Sequence, residues 1–271
     1  MNVTIANAQK AECFAGIFQH MKSFSEHIVV LFEEERMYIQ AMDGSRISIV
    51  EVVIPSAWFQ NYDLTDGGRS MQIGVNSSIL YRVLNARDKT QRINLVVNNA
   101  EDDKLSIHFT PIGDVATTGN AEFDKHFEIA LIDVDSEFMA IPEMEYQAEF
   151  SLSSSNFANI INQLKMFGDN LDLVCSENKI VLCSNSVEQG KMFVEIKIDD
   201  LSSFIIDEGE TIHASFSLNC LHNICLYNKL SKEVEVKFKN NFPMKVVYPL
   251  IGGLPDAKMI FYLAPRIADD E

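Results

Sequence analysis

The residues of this chain that could do chemistry are scattered rather than clustered. Six histidines, His20, His27, His108, His126, His213 and His222, show no ligand pairing by sequence spacing. His108 and His213 fall within strand-like patterns, where a satisfied structural role is expected. The acid pairs Asp102-Asp103, Asp199-Asp200 and Asp269-Asp270 read as solvated turns and a tail. No glycine-rich phosphate cradle ending in Lys-Ser/Thr is present, and no dinucleotide fingerprint, nucleophile elbow or His-Glu-x-x-His zinc helix. The five cysteines, Cys13, Cys175, Cys183, Cys220 and Cys225, are odd in number and lack zinc-knuckle spacing. They read as small buried hydrophobes in a reducing compartment. The pattern predicts a non-enzyme with no catalytic residue, no metal and no cofactor.

What remains is electrostatic and apolar recognition, and the elements that would carry it are legible. Phe14, Ile17, Phe18 and Met21 follow the i, i+3, i+4, i+7 spacing of an amphipathic helix. Phe157, Ile160, Ile161 and Leu164 repeat that spacing at an offset of 143. Leu80, Val83 and Leu84 match Leu221, Ile224 and Cys225 at an offset of 141. Helices are therefore predicted over 8–24, 76–89, 153–169 and 216–229, with N-caps from Asn7 and from Ser153–Ser155. Gly168-Asp169 is expected to end the third. Most of the remaining chain reads as short alternating strands separated by turns such as Asp43-Gly44, Gly67-Gly68 and Gly252-Gly253. The expectation is an α+β protein of two duplicated domains, 1–130 and 146–271, joined by a connector over 131–145. That connector is acidic but holds Phe138, Met139 and Ile141, which either staple it to the body or offer a binding surface.

The net charge of −17 opposes nucleic-acid binding in bulk. Its distribution does not. The four predicted helices carry seven basic residues, Lys10, Lys22, Arg82, Arg87, Lys89, Lys165 and Lys229, against three acids. The other 209 residues carry 15 basic and 36 acidic groups. Mildly positive helices on an acidic body fit a polyanion-facing surface. On a helical wheel Arg82 projects opposite its apolar stripe, whereas the outward faces hold Glu12, Gly16, Gln19 and His20 on the first helix, Asn159, Asn162, Gln163 and Met166 on the third, and Asn219, Asn223 and Leu226 on the fourth. No basic-then-apolar leader opens the chain and no run of 18 apolar residues occurs, so a soluble, intracellular protein with no membrane partner is expected.

Four stretches in order, IQAMDGSRISIVEVVI (39–54), IGVNSSIL (73–80), IDVDSEFMAIPEMEY (132–146) and FYLAPRIADDE (261–271), together with the duplication, resemble the proliferating cell nuclear antigen family, the eukaryotic-type DNA sliding clamps. The resemblance runs over essentially the whole chain. It implies a homotrimeric ring with the DNA clamp fold, whose helices line a hole that encircles duplex DNA through weak contacts. It further implies a clamp loader that opens the ring, and tethering of DNA polymerase and other replication and repair proteins, in the nucleus or at a viral replication site. Partners carrying a short motif with a glutamine and two aromatics would dock at Met42, Arg46, Ile47, Met139, Ile141, Pro243, Tyr262, Ala264 and Pro265. Subunits would join by pairing strands near 122–130 and 188–196. A clamp-like scaffold with little DNA loading is the alternative. The chain departs from the family in having Asn85, Asn159, Asn162 and Asn219 at helix positions that are basic there. Glu177 stands where many members carry a ubiquitin-modified lysine, and residues 110–126 look longer than the family's loop.

Overall fold

The computed structural model describes residues 1–64, 70–98, 103–112, 123–134 and 137–266. The Gly67-Gly68 turn, Asp102, most of the 110–126 loop and the Asp269-Asp270 tail lie outside the described residues. The described chain forms two compact units. The first comprises Met1–Ala41, Glu51–Phe138 and Leu250–Lys258; the second comprises Met42–Val50, Met139–Pro249 and the chain from Met259 onward.

The elements of the first half are β1 (Asn2–Ile5), α1 (Ala8–Gln19), β2 (His27–Phe32), β3 (Arg36–Met42), β4 (Ser48–Pro55), β5 (Asn61–Asp63), β6 (Met71–Asn76), α2 (Ser77–Leu84), β7 (Gln91–Val96), β8 (Lys104–Pro111) and β9 (Lys125–Ala130). Those of the second are β10 (Ala148–Ser153), α3 (Ser154–Leu164), β11 (Asn170–Ser176), β12 (Lys179–Ser186), β13 (Gly190–Lys197), β14 (Ser203–Ile206), β15 (Ile212–Ser217), α4 (Leu218–Cys225), β16 (Glu233–Phe238), β17 (Met244–Pro249) and β18 (Lys258–Leu263). In the first unit one sheet runs β5-β1-β7-β8-β9 and a second run of strands is ordered β4-β3-β2-β6. In the second unit the corresponding orders are β14-β10-β16-β17-β18 and β13-β12-β11-β15. Adding nine to each strand label converts the first pair of orders into the second. The duplication read from helix spacing is thus a duplication of the whole topology.

Each helix begins where a strand stops, and a cap makes the switch. Asn7 Oδ1 accepts from the amides of Gln9 and Lys10 at 3.0 Å, and Asn76 Oδ1 does the same for Ser78 and Ile79 at 3.1 and 3.0 Å. Ser153 and Ser217 hydroxyls cap α3 and α4 through Asn156 and Cys220. These contacts satisfy amides that the first helical turn leaves without a partner. The helices are shorter than the spacing predicts. α3 ends at Leu164 with Lys165 as its cap rather than at Gly168-Asp169, and the last turns after α1 and α4 tighten into three-residue-per-turn helix over Met21–Ser23 and Leu226–Lys229. The stripe residues are buried as expected, save Ile160 and Val83, which are half-buried. In the first unit Phe14, Phe18 and Leu80 meet Val30, Phe32, Met37 and Ile73 around a small apolar void. Burial of each aromatic there contributes about 2–3 kcal/mol.

Three short strands escape the sequence pattern: β1, β5 and β14. Each has only three or four residues, too few for an alternation to register. The cysteines form no disulfide; Cys13, Cys175 and Cys225 are buried and their thiols pushed up to about 11, 12 and 12 by desolvation. Among the described residues no helix is long and apolar enough to cross a membrane.

The connector leaves the first unit through a close backbone approach. Ile132 N donates to Gly74 O at 2.9 Å, and a Cβ on Gly74 would lie 2.2 Å from Ile132 O. Phe138 then packs edge-on against Tyr38, with ring centres 5.2 Å apart. Gly74→Ala should therefore lower the unfolding free energy by about 1–3 kcal/mol through this overpacking. Chemical denaturation checks the loss, and a midpoint equal to the wild type's would show that the bridge is dispensable.

Candidate functional site

The basic residues of the four spans predicted as helices sort into two groups by what their charged ends touch; Arg87 and Lys89 lie beyond the end of α2 at Leu84. Lys22, Arg82, Lys89 and Lys229 are exposed, and Lys165 is half-buried at the C-terminal cap of α3. Lys10 is held inside its own unit. Its Nζ donates to the Trp58 carbonyl at 2.7 Å and sits 5.1 Å from the indole centre. The same indole donates to Ile251 O at 2.6 Å, so Lys10, Trp58 and the 250–258 segment form one knot. Arg87 is similarly committed. Its Nη1 donates to the carbonyls of Asp88, Lys89 and Gln91 at 3.0, 3.0 and 2.8 Å, closing the turn between α2 and β7. Desolvation lowers its pKa, against the raising influence of Glu12 and Asp88. Sequence spacing places Lys10 and Arg87 on helix ends; only the tertiary partners reveal that their charged ends are engaged by backbone carbonyls.

The faces left over are rich in amides. Gln19, Asn159, Asn162, Gln163 and Asn219 are exposed, as is Met166. His222 Nδ1 lies 2.7 Å from Asn162 Oδ1, linking α4 to α3. Partial desolvation and the neighbouring Lys165 hold His222 below the ordinary imidazole range, so at pH 7 it is neutral and adds no cation. Asn219 Nδ2 donates to Asp169 Oδ1 at 3.2 Å, which engages an acid beside α3 and α4. Among the described residues each unit thus offers a polar helical surface with two or three cations that make no ion pair, able to lie along phosphates without gripping them.

The second candidate surface falls entirely within the second unit. Asp43 organises the turn at one side of it. The Asp43 carboxylate accepts from the amides of Ile47 and Ser48 at 2.8 and 2.9 Å, Asp43 N donates to Ser48 O at 3.0 Å, and Arg46 takes a left-handed φ of 58°. This turn raises Ile47 to 40% exposure, so its side chain is a surface feature and not core. Ala264 N donates to Ile47 O at 3.0 Å, laying the segment after β18 beside residues 42–50. Tyr262 is half-buried with Lys245 Nζ 5.7 Å from its ring centre. Met42, Ile141, Pro243, Ala264 and Pro265 are half-buried, and Met139 is 41% exposed. Nearby in sequence, Phe242 is 40% exposed with Lys239 Nζ 5.2 Å from its ring centre. Sequence reasoning missed Asp43 as the organiser; an Asp-Gly-Ser run before a strand is its only signal. Adaptable apolar side chains around an aromatic are the chemistry that receives a partner's aromatic anchors.

The third feature is a pair of strand edges. β9 pairs with β8 alone and β13 with β12 alone among the described residues. Phe193 on β13 is 66% exposed and Phe123, two residues before β9, is 73% exposed. Long edges with exposed aromatics aggregate unless a partner covers them.

A duplicated antiparallel fold with four strand-capped helices and polar, weakly cationic helix faces is that of a DNA clamp. Comparison with known proteins agrees. The family model described as proliferating cell nuclear antigen, N-terminal domain, matches residues 5–138, and that described as its C-terminal domain matches 140–267. The chain is 27% identical over 248 residues to the proliferating cell nuclear antigen of Chaetomium thermophilum, covering 86% of each. It is 25% identical over 265 residues to a DNA polymerase sliding clamp of Methanococcus maripaludis, covering 95% of this chain and 98% of that one. The proliferating cell nuclear antigen of Saccharomyces cerevisiae is 22% identical over 270 residues, with 98% and 99% covered. A crystal structure of the Entamoeba histolytica protein of that name shares the fold, with a TM-score of 0.82 at 20% identity and 98% of each chain covered. The chain belongs to the proliferating cell nuclear antigen family, and its function is that of a DNA sliding clamp.

The two classes of cation predict opposite phenotypes. Lys10→Ala should cost about 1–2 kcal/mol of stability, by loss of a charge-assisted hydrogen bond to Trp58 O. Arg82→Ala should change stability by less than about 0.5 kcal/mol while weakening duplex binding at low salt. Thermal unfolding and fluorescence anisotropy separate the two; the reverse pattern would invalidate the division.

Proposed function

We propose that three copies of this chain close head to tail into a ring that encircles duplex DNA and tethers a DNA polymerase and other replication and repair proteins. The observation that carries this reading is the mismatch between two equivalent sets of edges. In the second unit, β18 is continued by a backbone hydrogen bond from Ala264 to Ile47, just ahead of β4. By the nine-strand repeat, β18 is the duplicate of β9, and β4 is the counterpart of β13. β9 and β13 are the edges without such a neighbour. A heterologous contact that repeats the internal one would pair β9 of one subunit with β13 of the next and bury Phe193. Closure of three such contacts gives a ring in which neither β9 nor β13 is left as a free edge.

In this ring Arg82, Lys22 and Lys89 of the first unit, and Lys165 and Lys229 of the second, approach phosphates, with the amides between them. Lys10 and Arg87 act by fixing the local backbone. Retention on DNA comes from closure, so a clamp loader must open the ring. Partner proteins dock through a glutamine- and aromatic-containing motif on the surface around Ile47, Met139 and Tyr262. The work of such a clamp places it in the nucleus, or at a replication site of viral origin. It performs no bond-making step and requires no cofactor.

The test joins assembly to loading. Light scattering should return three subunit masses, and Phe193→Asp should yield a monomer with unchanged circular dichroism. After loader treatment the wild type should remain on circular DNA and run off linear DNA. A wild-type protein that stays monomeric at high concentration overturns the ring. Separately, Ile47→Asp should weaken binding of a motif peptide by at least about tenfold, about 1.4 kcal/mol, with the oligomer mass unchanged. Unchanged peptide affinity would move the docking site elsewhere.

A further inference from the structure

The outer face of the five-stranded sheet in the first unit carries a feature that clamp function does not use. In β8 the side chains of Leu105, Ile107 and Phe109 are buried, so Ser106, His108 and Thr110 occupy the opposite face. The register sets His108 directly across from His126 on β9 and, on its other side, across from Asn94 on β7. The two imidazole rings stand 4.7 Å apart between centres at an interplanar angle of 73°. Two imidazoles ligating one ion at about 2.1 Å, in adjacent coordination positions, have ring centres roughly 4.5–5.3 Å apart. The observed pair already meets that spacing.

Further donors share this face. Glu128 follows His126 by two residues on β9 and so projects to the same side. Its present partner is Lys104 at 3.2 Å, in an ion pair with both side chains more than half exposed. Such a pair is worth little and is readily exchanged for a metal ion. Asn94 Oδ1 is buried without a hydrogen-bond partner, one strand in from His108. The competing cations on the face are Lys104 and Arg92, the latter bound to Pro111 O at 3.1 Å. Lys125 faces away and is paired with Asp88 at 2.7 Å. No three His, Cys, Asp or Glu side chains converge among the described residues, so the imidazole pair supplies the spacing, and ring rotation and the Glu128 carboxylate must complete the site.

The geometry points to a binding site for one divalent transition-metal ion, held by His108 and His126 and completed by the Glu128 carboxylate and water. Imidazole nitrogens with one carboxylate suit Cu²⁺, Ni²⁺ and Zn²⁺ and disfavour Mg²⁺ and Ca²⁺. The bound ion would cross-link edge strand β9 to β8. Because a metal-bound imidazole must be in its neutral form, protons compete with the ion for both ligands.

The test uses the untagged full chain, titrated calorimetrically with CuCl₂, NiCl₂ and ZnCl₂ at pH 7.5 and pH 5.5. The expected result is one ion per chain, tightest for Cu²⁺, with a visible copper absorption band and weaker binding at pH 5.5. His126→Gln, at an exposed position, should lower affinity by at least about tenfold, since even outer-shell partners of metal-bound histidines carry that much. Glu128→Gln should lower it less and leave the stoichiometry unchanged. Thermal midpoints without metal establish that each variant is folded. Saturable binding that survives His126→Gln and His108→Gln, or no one-to-one binding to wild type, overturns the site and leaves a stacked histidine pair only.

Discussion

A helix laid on a sheet can bury one stripe, and the rest of this molecule depends on that limit. The i, i+3, i+4, i+7 residues of α1 and α3 go inward as Phe14, Ile17 and Phe18, and as Phe157, Ile161 and Leu164. The opposite arc must then face water or a ligand, whatever residues occupy it. Side-chain capping at Asn7, Asn76, Ser153 and Ser217 fixes where each helix starts and hence the angular phase of that arc. A cap displaced by one residue would rotate the arc by about 100° and exchange amides for core. The polar face is therefore set by the apolar one.

The same limit explains why the basic residues divide as they do. At the flank of the apolar stripe of α1, and in the turn after α2, a long side chain meets neighbouring backbone, and Lys10 and Arg87 are absorbed there by carbonyl groups. Side chains nearer the centre of the free arc, such as Arg82, find no such acceptor and stay in solvent. A helical wheel gives the angle but not the acceptors, because those arrive from Trp58 and Gln91, outside the helix.

Much of the architecture was legible in the sequence because its determinants are local and repeated. Helix stripes at a constant offset, Asn and Ser caps, and Val/Ile/Phe-rich strands of six to eight residues are all short-range signals. The strands that escaped, β1, β5 and β14, are stabilised by ladder partners on both or one side and not by their own pattern. The surface around Ile47 was legible only through resemblance. Its physical basis, the Asp43 carboxylate gathering two amides while Arg46 turns left-handed, depends on a five-residue loop with no periodicity. The facing of His108 and His126 was invisible for a related reason: register pairs residues 18 apart, and no spacing rule anticipates it.

An acidic protein that works on DNA poses a conflict between net charge and function. A net charge of −17 repels the duplex at distances up to a Debye length of about 8–10 Å. A binder must overcome this with many phosphate contacts and their counterion release, and each tight contact would be a barrier to movement along the helix. A closed ring escapes the conflict, because dissociation then requires opening of protein–protein contacts and not the loss of protein–DNA contacts. Amides suit that arrangement better than lysines. Asn and Gln donate to phosphate oxygens with neutral hydrogen bonds of about half the charge-assisted strength, exchange readily with water, and keep the acidic body from being drawn onto one register. The exposed Asn159, Asn162 and Asn219 on these helices suit a clamp that relies on closure for retention and on weak, interchangeable contacts for motion.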